Sequence, residues 1–214
     1  MVRVGVIGAG GIARASCEEL SAHPDAEIIA VADPNKESAS ELALRHDTIR
    51  TMTAEPEILL AMPEVDAVYI ATPNHLHMKF SKMALRAGKH VLQEKPLARN
   101  IEEALSLAAL VHESDVHFML GMNQRFSAEM QYSKQLIERD RIGRVYHCKA
   151  YWRRRSGIPR IGSWFTQKNL SGGGGLLDIG VHMLDNTLYL LNNFLPHSVS
   201  GSTYREFGSR GLGD

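Results

Sequence analysis

The sequence predicts an α/β fold in two parts. Residues 1–123 read as a doubly wound parallel sheet with helices on both faces. Residues 124–214 read as an α+β part with an open sheet that is apparently truncated. Three observations carry this reading. The chain opens with a β-branched apolar strand that runs into a glycine-rich turn. Helix and strand patterns then alternate up to Leu120, which implies βαβ units with right-handed crossovers. After Gly121 the alternation stops, and a run of four glycines precedes a long apolar helical pattern.

Taken in order, Val2–Ile7 is a strand apolar enough to be buried on both faces. Ile12–Ala22 has helical spacing, and Ala26–Ala32 is the second strand. Lys36–Arg45 and Ala54–Ala61 read as helices. Val65–Ala71 reads as a strand, and Leu76–Ala87 as a helix stopped by Gly88. His90–Leu92 is a short strand, Ile101–Ser114 a helix and Val116–Leu120 the last strand of this part. Beyond the boundary near Asn123, Met130–Arg139 is helical and Val145–Arg155 begins with period-two alternation. Ser163–Gly175 is a polar loop, Leu176–Leu191 one strong helix and Ser198–Tyr204 a further strand.

Bulk properties narrow the function. Lys plus Arg and Asp plus Glu both number 24, so the formal net charge is zero and nothing points to nucleic acid or an anionic membrane. Arg153-Arg154-Arg155 reads as a solvated strand end. The two cysteines, Cys17 and Cys148, have no metal-ligand spacing and read as reduced thiols of a cytoplasmic protein without a signal peptide. Asp178, His182 and Asp185 interrupt the most apolar late stretch, which excludes a membrane span.

The turn Gly8-Ala9-Gly10-Gly11-Ile12-Ala13 spells G-x-G-x-x-G/A between a strand and a helix. Gly8 permits the tight turn, Gly10 lets a pyrophosphate approach the backbone, and Ala13 lets the helix pack on the strand. The helix N-terminus offers free N–H groups to phosphates. Asp33 ends the second strand, 20 residues beyond Ala13, where adenosine ribose hydroxyls need an acceptor. Its bland alternative is an N-cap for the following helix. This strand–turn–helix–strand–acid order is the Rossmann pattern for a dinucleotide. Asp33 selects NAD rather than NADP, because a 2′-phosphate would meet its carboxylate.

Ligands of open α/β sheets bind beyond the carboxyl ends of the strands. The segments there are Ala71-Thr72-Pro73-Asn74-His75-Leu76-His77, Gln93-Glu94-Lys95-Pro96-Leu97 and Gly121-Met122-Asn123-Gln124-Arg125. Further on, Asp178, His182 and Asp185 stand at i, i+4 and i+7 on one helical face. A neutral histidine there can take a hydroxyl proton, and a lysine can stabilise a developing alkoxide. Asp178 is open to two uses, orienting His182 or binding a second hydroxyl, and Asp185 is a candidate partner behind them. The N-terminus of this helix lowers the His182 pKa and the carboxylates raise it, so the sign stays open. The bland alternatives are a satisfied core histidine and an ordinary loop lysine. Arg125 either ties the two parts together or touches ligand. Trp152 and Trp164 read as core or pocket wall. His75 and His77 lack a third ligand of suitable spacing, so no metal is expected.

With these motifs in place, the sequence resembles the glucose–fructose oxidoreductase / inositol dehydrogenase / MocA family of nicotinamide-dependent sugar and polyol dehydrogenases. The likeness rests on the glycine turn, Asp33, Thr72-Pro73-Asn74 with His77, Glu94-Lys95-Pro96, Asn123 with Arg125, and Gly175 to His182. It implies an oxidoreductase moving hydride between NAD and a sugar, polyol or cyclitol. Lys95, Asp178 and His182 would be catalytic. The cofactor neighbours would be Gly8, Gly10, Gly11, Ile12, Asp33, Thr72, Pro73, Asn74, His77, Glu94, Lys95 and Asn123, and a homo-oligomer would form through the C-terminal sheet. The resemblance also implies that the Lys95–Pro96 bond is often cis. Two other functions fit the same residues: an NAD-dependent glycosidase of this family, and a truncated nucleotide-binding protein without turnover. Family members continue into a larger open sheet. The expectation here is therefore a complete nucleotide-binding domain with a marginal second lobe that is stabilised by a partner copy or belongs to a longer chain.

Overall fold

The computed structural model describes residues 1–155, 162–204, 206 and 210. It divides into two compact units, Met1–Gly121 and Met122–Asp214.

The first unit is a six-stranded parallel sheet. Its strands are β1 (Val2–Ile7), β2 (Ala26–Ala32), β3 (Thr51–Thr53), β4 (Ala67–Ile70), β5 (His90–Glu94) and β6 (Phe118–Gly121), in the order β3-β2-β1-β4-β5-β6. The helices are α1 (Gly11–Ala22), α2 (Lys36–Arg45), α3 (Pro56–Ala61), α4 (Asn74–Arg86) and α5 (Ile101–Glu113). Alternating strand residues feed two cores. Val4, Val6, Ile28, Val31 and Tyr69 pack with Ala13, Cys17 and Leu42 of α1 and α2. Ile7, Ile29, Val68, Ile70 and Val91 pack with Leu59, Phe80, Ala84 and Leu107 of α3, α4 and α5. Both faces of the sheet are therefore covered, which is why its strands read as apolar runs rather than as one-sided alternation.

The order reverses between β1 and β4, the central pair from which the two halves of the sheet run outward in opposite directions. All six strands end at the same edge, so every strand-end segment of this unit lies there. Boundaries shift by a residue or two from expectation. The strand expected at Val65–Ala71 is Ala67–Ile70, and the helix expected from Leu76 starts at Asn74. β3 was not expected. Three residues with one apolar side chain carry too little periodicity to announce a strand, and β3 is held by its pairing with β2.

At the opposite edge, Asp66 accepts hydrogen bonds from the Arg3 backbone N–H (2.9 Å), Arg3 Nε (3.0 Å) and Arg3 Nη2 (2.8 Å). Those bonds hold its carboxyl at about 2. A lowered carboxylate pKa adds stability above the unfolded value and loses it as pH falls towards the folded one. Asp66→Asn is therefore expected to flatten the acid limb of the thermal-stability profile between about pH 4 and pH 2, measured by melting temperature. The size of this effect is limited because the pair is solvent-screened.

In the second unit, α6 (Ala128–Glu138), α7 (Lys168–Ser171) and α8 (Val181–Leu191) are the α-helices among the described residues. Two expectations are corrected. Leu176–Leu191 is not one α-helix: Leu176–Gly180 forms a π-helical turn, and α8 starts at Val181. Gly180 lies at this junction, where an added Cβ would sit 2.9 Å from Leu176 Cδ1. The segments 145–155 and 198–204 form no strands; apart from half-buried Val145 they are exposed, without ladder partners among the described residues. A period-two pattern becomes a strand only where a neighbour supplies the backbone bonds, and neither segment pairs with the other. The Arg153–Arg155 cluster is exposed, and no metal-holding group of three His, Cys, Asp or Glu occurs among the described residues. No described helix is long and apolar enough to cross a membrane.

Candidate active site

The glycine turn follows β1 directly. Gly8 has φ +96°, and a Cβ there would lie 2.6 Å from the Ala71 carbonyl oxygen, so the fold itself demands glycine. Its N–H donates to the Ala32 carbonyl at 2.8 Å, which ties the turn to the end of β2. Gly10 and Gly11 differ. Neither has positive φ, and a Cβ at either would meet nothing within 4 Å. Packing among the described residues does not require glycine at these two places, and glycine there leaves the backbone open to close approach by a ligand. α2 and α5 are capped by Asn35 and Asn100, which accept from Ser38 and Glu103 N–H. The cap of α1, Gly10, contributes no side-chain bond, and the first turn holds no acid. The end of α1 is thus left open for an anion.

Asp33 stands at the end of β2. Its Oδ2 accepts the Ala9 N–H at 2.7 Å and its Oδ1 accepts the Asn35 N–H at 2.7 Å. The alternative role as helix N-cap is excluded, since Asn35 caps α2. Each carboxylate oxygen keeps a second lone pair, and the side chain is fixed beside the turn. These residues fit a dinucleotide: an open glycine cradle, an uncapped helix end, and an ordered carboxylate one strand away.

Across the reversal point, Thr72-Pro73-Asn74 follow β4, and Glu94 and Lys95 follow β5. Thr72, Glu94 and Lys95 are half-buried, and Asn74 is buried. The Lys95–Pro96 bond is cis. Glu94 Oε1 accepts from the buried Tyr69 hydroxyl at 2.8 Å, and that hydroxyl lies 2.9 Å from Ser16 Oγ on α1. Burial and the neighbouring Glu94 push the Tyr69 hydroxyl upward, so it remains a donor. Sequence reasoning gives Tyr69 no role beyond its place in the strand expected at Val65–Ala71; a hydroxyl near the carboxyl end of that strand is the available signal. His77 is not at the surface of this edge. Its ring is buried, and both nitrogens face backbone carbonyls.

In the second unit, Asp178 lies in the π-turn and His182 on the first turn of α8. His182 is buried, with its ring centroid 6.4 Å from that of Trp152. Asp185 does not serve these residues. Its Oδ2 accepts from Arg125 Nε at 2.7 Å and its Oδ1 from Arg125 Nη2, while the guanidinium lies over the rings of Tyr189 and Phe194. Helical spacing places Asp185 on the His182 side, but Arg125, 60 residues away, claims it. Asn123 begins a short 3-10 turn and is exposed.

Residues 2–122 match the family described as "Oxidoreductase family, NAD-binding Rossmann fold", and residues 130–214 match the "GFO/IDH/MocA C-terminal domain". The chain belongs to the Gfo/Idh/MocA oxidoreductase family. Among curated relatives it is 31% identical over 210 residues to D-glucoside 3-dehydrogenase of Escherichia coli (strain K12), covering 98% of this chain and 59% of that protein. It is 34% identical to levoglucosan dehydrogenase of Pseudarthrobacter phenanthrenivorans, covering 95% and 54%. The chain thus spans between half and three fifths of the length of these relatives. Among solved structures, a levoglucosan dehydrogenase in complex with NADH and levoglucosan superposes with a TM-score of 0.75 at 30% identity, covering 89% of this chain and 54% of that one. An NAD-binding protein from Listeria innocua superposes with a TM-score of 0.78 at 34% identity, covering 88% and 54%.

Proposed function

We propose that this chain is the cofactor-binding and catalytic portion of an NAD-dependent dehydrogenase acting on a sugar, polyol or cyclitol hydroxyl. The observation that carries the reading is the glycine turn, where a Cβ added at Gly10 or Gly11 would meet nothing within 4 Å among the described residues. Membership of the family and relatives named as dehydrogenases of glucosides and levoglucosan support it.

The bound nicotinamide supplies a hydride acceptor. The chain's residues do the rest. Backbone N–H groups at Gly10 to Ile12 bind the pyrophosphate, and Asp33 accepts from the ribose hydroxyls. Lys95 donates to the hydroxyl oxygen under oxidation and stabilises negative charge as it forms there. His182 takes the hydroxyl proton at a ring nitrogen while the carbon–hydrogen bond breaks, and returns a proton in the reverse direction. Asp178 orients the substrate by accepting from a second hydroxyl. A panel of inositols, aldoses, sugar acids and glucosides with NAD at alkaline pH tests the proposal. Growth of NADH absorbance with at least one of them is expected, and silence across the panel contradicts it.

Cofactor choice follows from Asp33. With its carboxylate already ordered by two N–H donors, a 2′-phosphate meets like charge, so NADH is expected to bind more tightly than NADPH in a fluorescence titration. Tighter NADPH binding would overturn the assignment. The homo-oligomer is likewise proposed. Leu176, Leu184, Leu195 and Val199 of the second unit are exposed apolar side chains that association would cover. Light scattering is expected to return a dimer or larger, and a monodisperse monomer would contradict it.

A further inference from the structure

Three polar side chains are buried together behind the strand-end loops of the first unit. His77 on α4 is 1% exposed, and Ser81, one turn on, and Gln93 on β5 are both 0% exposed. Such groups are costly to bury unless bonded, and these are bonded in one direction. His77 Nδ1 lies 2.9 Å from the Pro96 carbonyl oxygen, and Nε2 lies 2.8 Å from the Thr72 carbonyl oxygen. Gln93 Nε2 reaches the carbonyls of Glu94 (3.2 Å), Pro96 (3.1 Å) and Leu97 (3.0 Å), while its Oε1 accepts from Ser81 Oγ at 2.7 Å. The ring therefore joins two loops that have no sequence connection: Thr72–Asn74 after β4, and the loop around Lys95 after β5.

We infer that His77 is a positioning residue that straps the Thr72–Asn74 loop and the Lys95 loop to each other through its two ring nitrogens. The functional half of this inference rests on the proposed roles of those loops; the strap itself rests on the geometry alone. The protonated ring donates to both carbonyls and the neutral ring to one of them, with Nδ1 also 3.4 Å from Gln93 Nε2; in either state the ring's polar atoms face the protein's own groups, and its effect on the site runs through the backbone it holds. Burial pushes its pKa below the ordinary histidine value. The carbonyls of Pro96 and Thr72 and the charge of Glu94 act in the opposite direction, and Lys95 acts with burial.

Two variants separate the two contacts. An asparagine amide nitrogen overlays Nδ1, and a glutamine amide nitrogen overlays Nε2. His77→Asn therefore keeps the Pro96 contact and loses the Thr72 contact, and His77→Gln does the reverse. Hydrogen exchange of the apo protein, at a pH acid enough to protonate the wild-type ring so that both contacts are donated, reads the outcome by segment. In His77→Asn, amides of 72–76 are expected to exchange about tenfold faster with 94–98 nearly unchanged, and in His77→Gln the pattern is reversed, as loss of one hydrogen bond dictates. On the proposed roles, His77→Asn then raises KM for NAD and His77→Gln lowers kcat. Equal loosening of both segments in both variants, unchanged exchange, or any other pattern overturns the strap. Split exchange without the kinetic split leaves the strap standing and removes the assigned roles of the loops.

Discussion

His182→Ala is expected to lower kcat about 10²–10⁴-fold while leaving NAD affinity nearly unchanged, as removal of a general acid/base does. His182 stands on the first turn of α8 in the second unit, whereas the glycine turn and Asp33 lie in the first, so the substitution leaves the cofactor-binding residues intact. Lys95→Ala is expected to cost about 10²–10³-fold in kcat, the scale of one lost donor to a developing oxyanion. Asp178→Asn should raise KM for the sugar more than it lowers kcat, because the site loses an acceptor and keeps its base. Steady-state kinetics across pH on the panel-positive substrate check all three. Full kcat in His182→Ala or Lys95→Ala would remove that residue from its role.

The second large effect separates two glycines two residues apart. Gly10→Val is expected to weaken NAD about 100-fold, since it fills the space over the turn and blocks charge-assisted hydrogen bonds worth about 1.5–3 kcal/mol each. The melting temperature should fall only slightly, because valine replaces glycine at a helix N-cap at a cost of about 1 kcal/mol. Gly8→Val should do the opposite. Its φ of +96° and a Cβ 2.6 Å from the Ala71 carbonyl impose strain of at least about 1–3 kcal/mol, together with displacement of the β4–α4 connection. The protein should then melt well below wild type. Differential scanning fluorimetry with and without NAD reads both. A Gly10→Val protein that binds NAD as wild type does would contradict the cradle.

What was legible in the sequence tracks what is local. Gly8 to Ala13 carried its own meaning because turn geometry and helix start are set by adjacent residues. Continuous apolar runs marked β1, β2 and β4 because both sheet faces are covered. Asp33 was legible from its register, but its bonds to Ala9 and Asn35 were not, because those depend on how the turn folds back over β2. Asp185 shows the limit of helical spacing. It placed the residue on the right face and said nothing about Arg125, which arrives from a distant segment. His77 was picked out by its motif, but its burial and the placing of its ring nitrogens against the Pro96 and Thr72 carbonyls depend on how two separate loops fold together. Val145–Arg155 and Ser198–Tyr204 have strand-like composition, yet strand formation is a property of pairs, and no partner is present for either among the described residues.

The most direct measurement follows the hydrogen itself. A fully C-deuterated sugar that scores in the panel is incubated with the protein and NAD, and the cofactor is then analysed by mass spectrometry. Deuterium on the nicotinamide, accumulating with turnover in wild type and greatly slowed in His182→Ala, is the result this account predicts. Cofactor that stays unlabelled, whether the sugar is left unchanged or is cleaved with its deuterium returned, would contradict it.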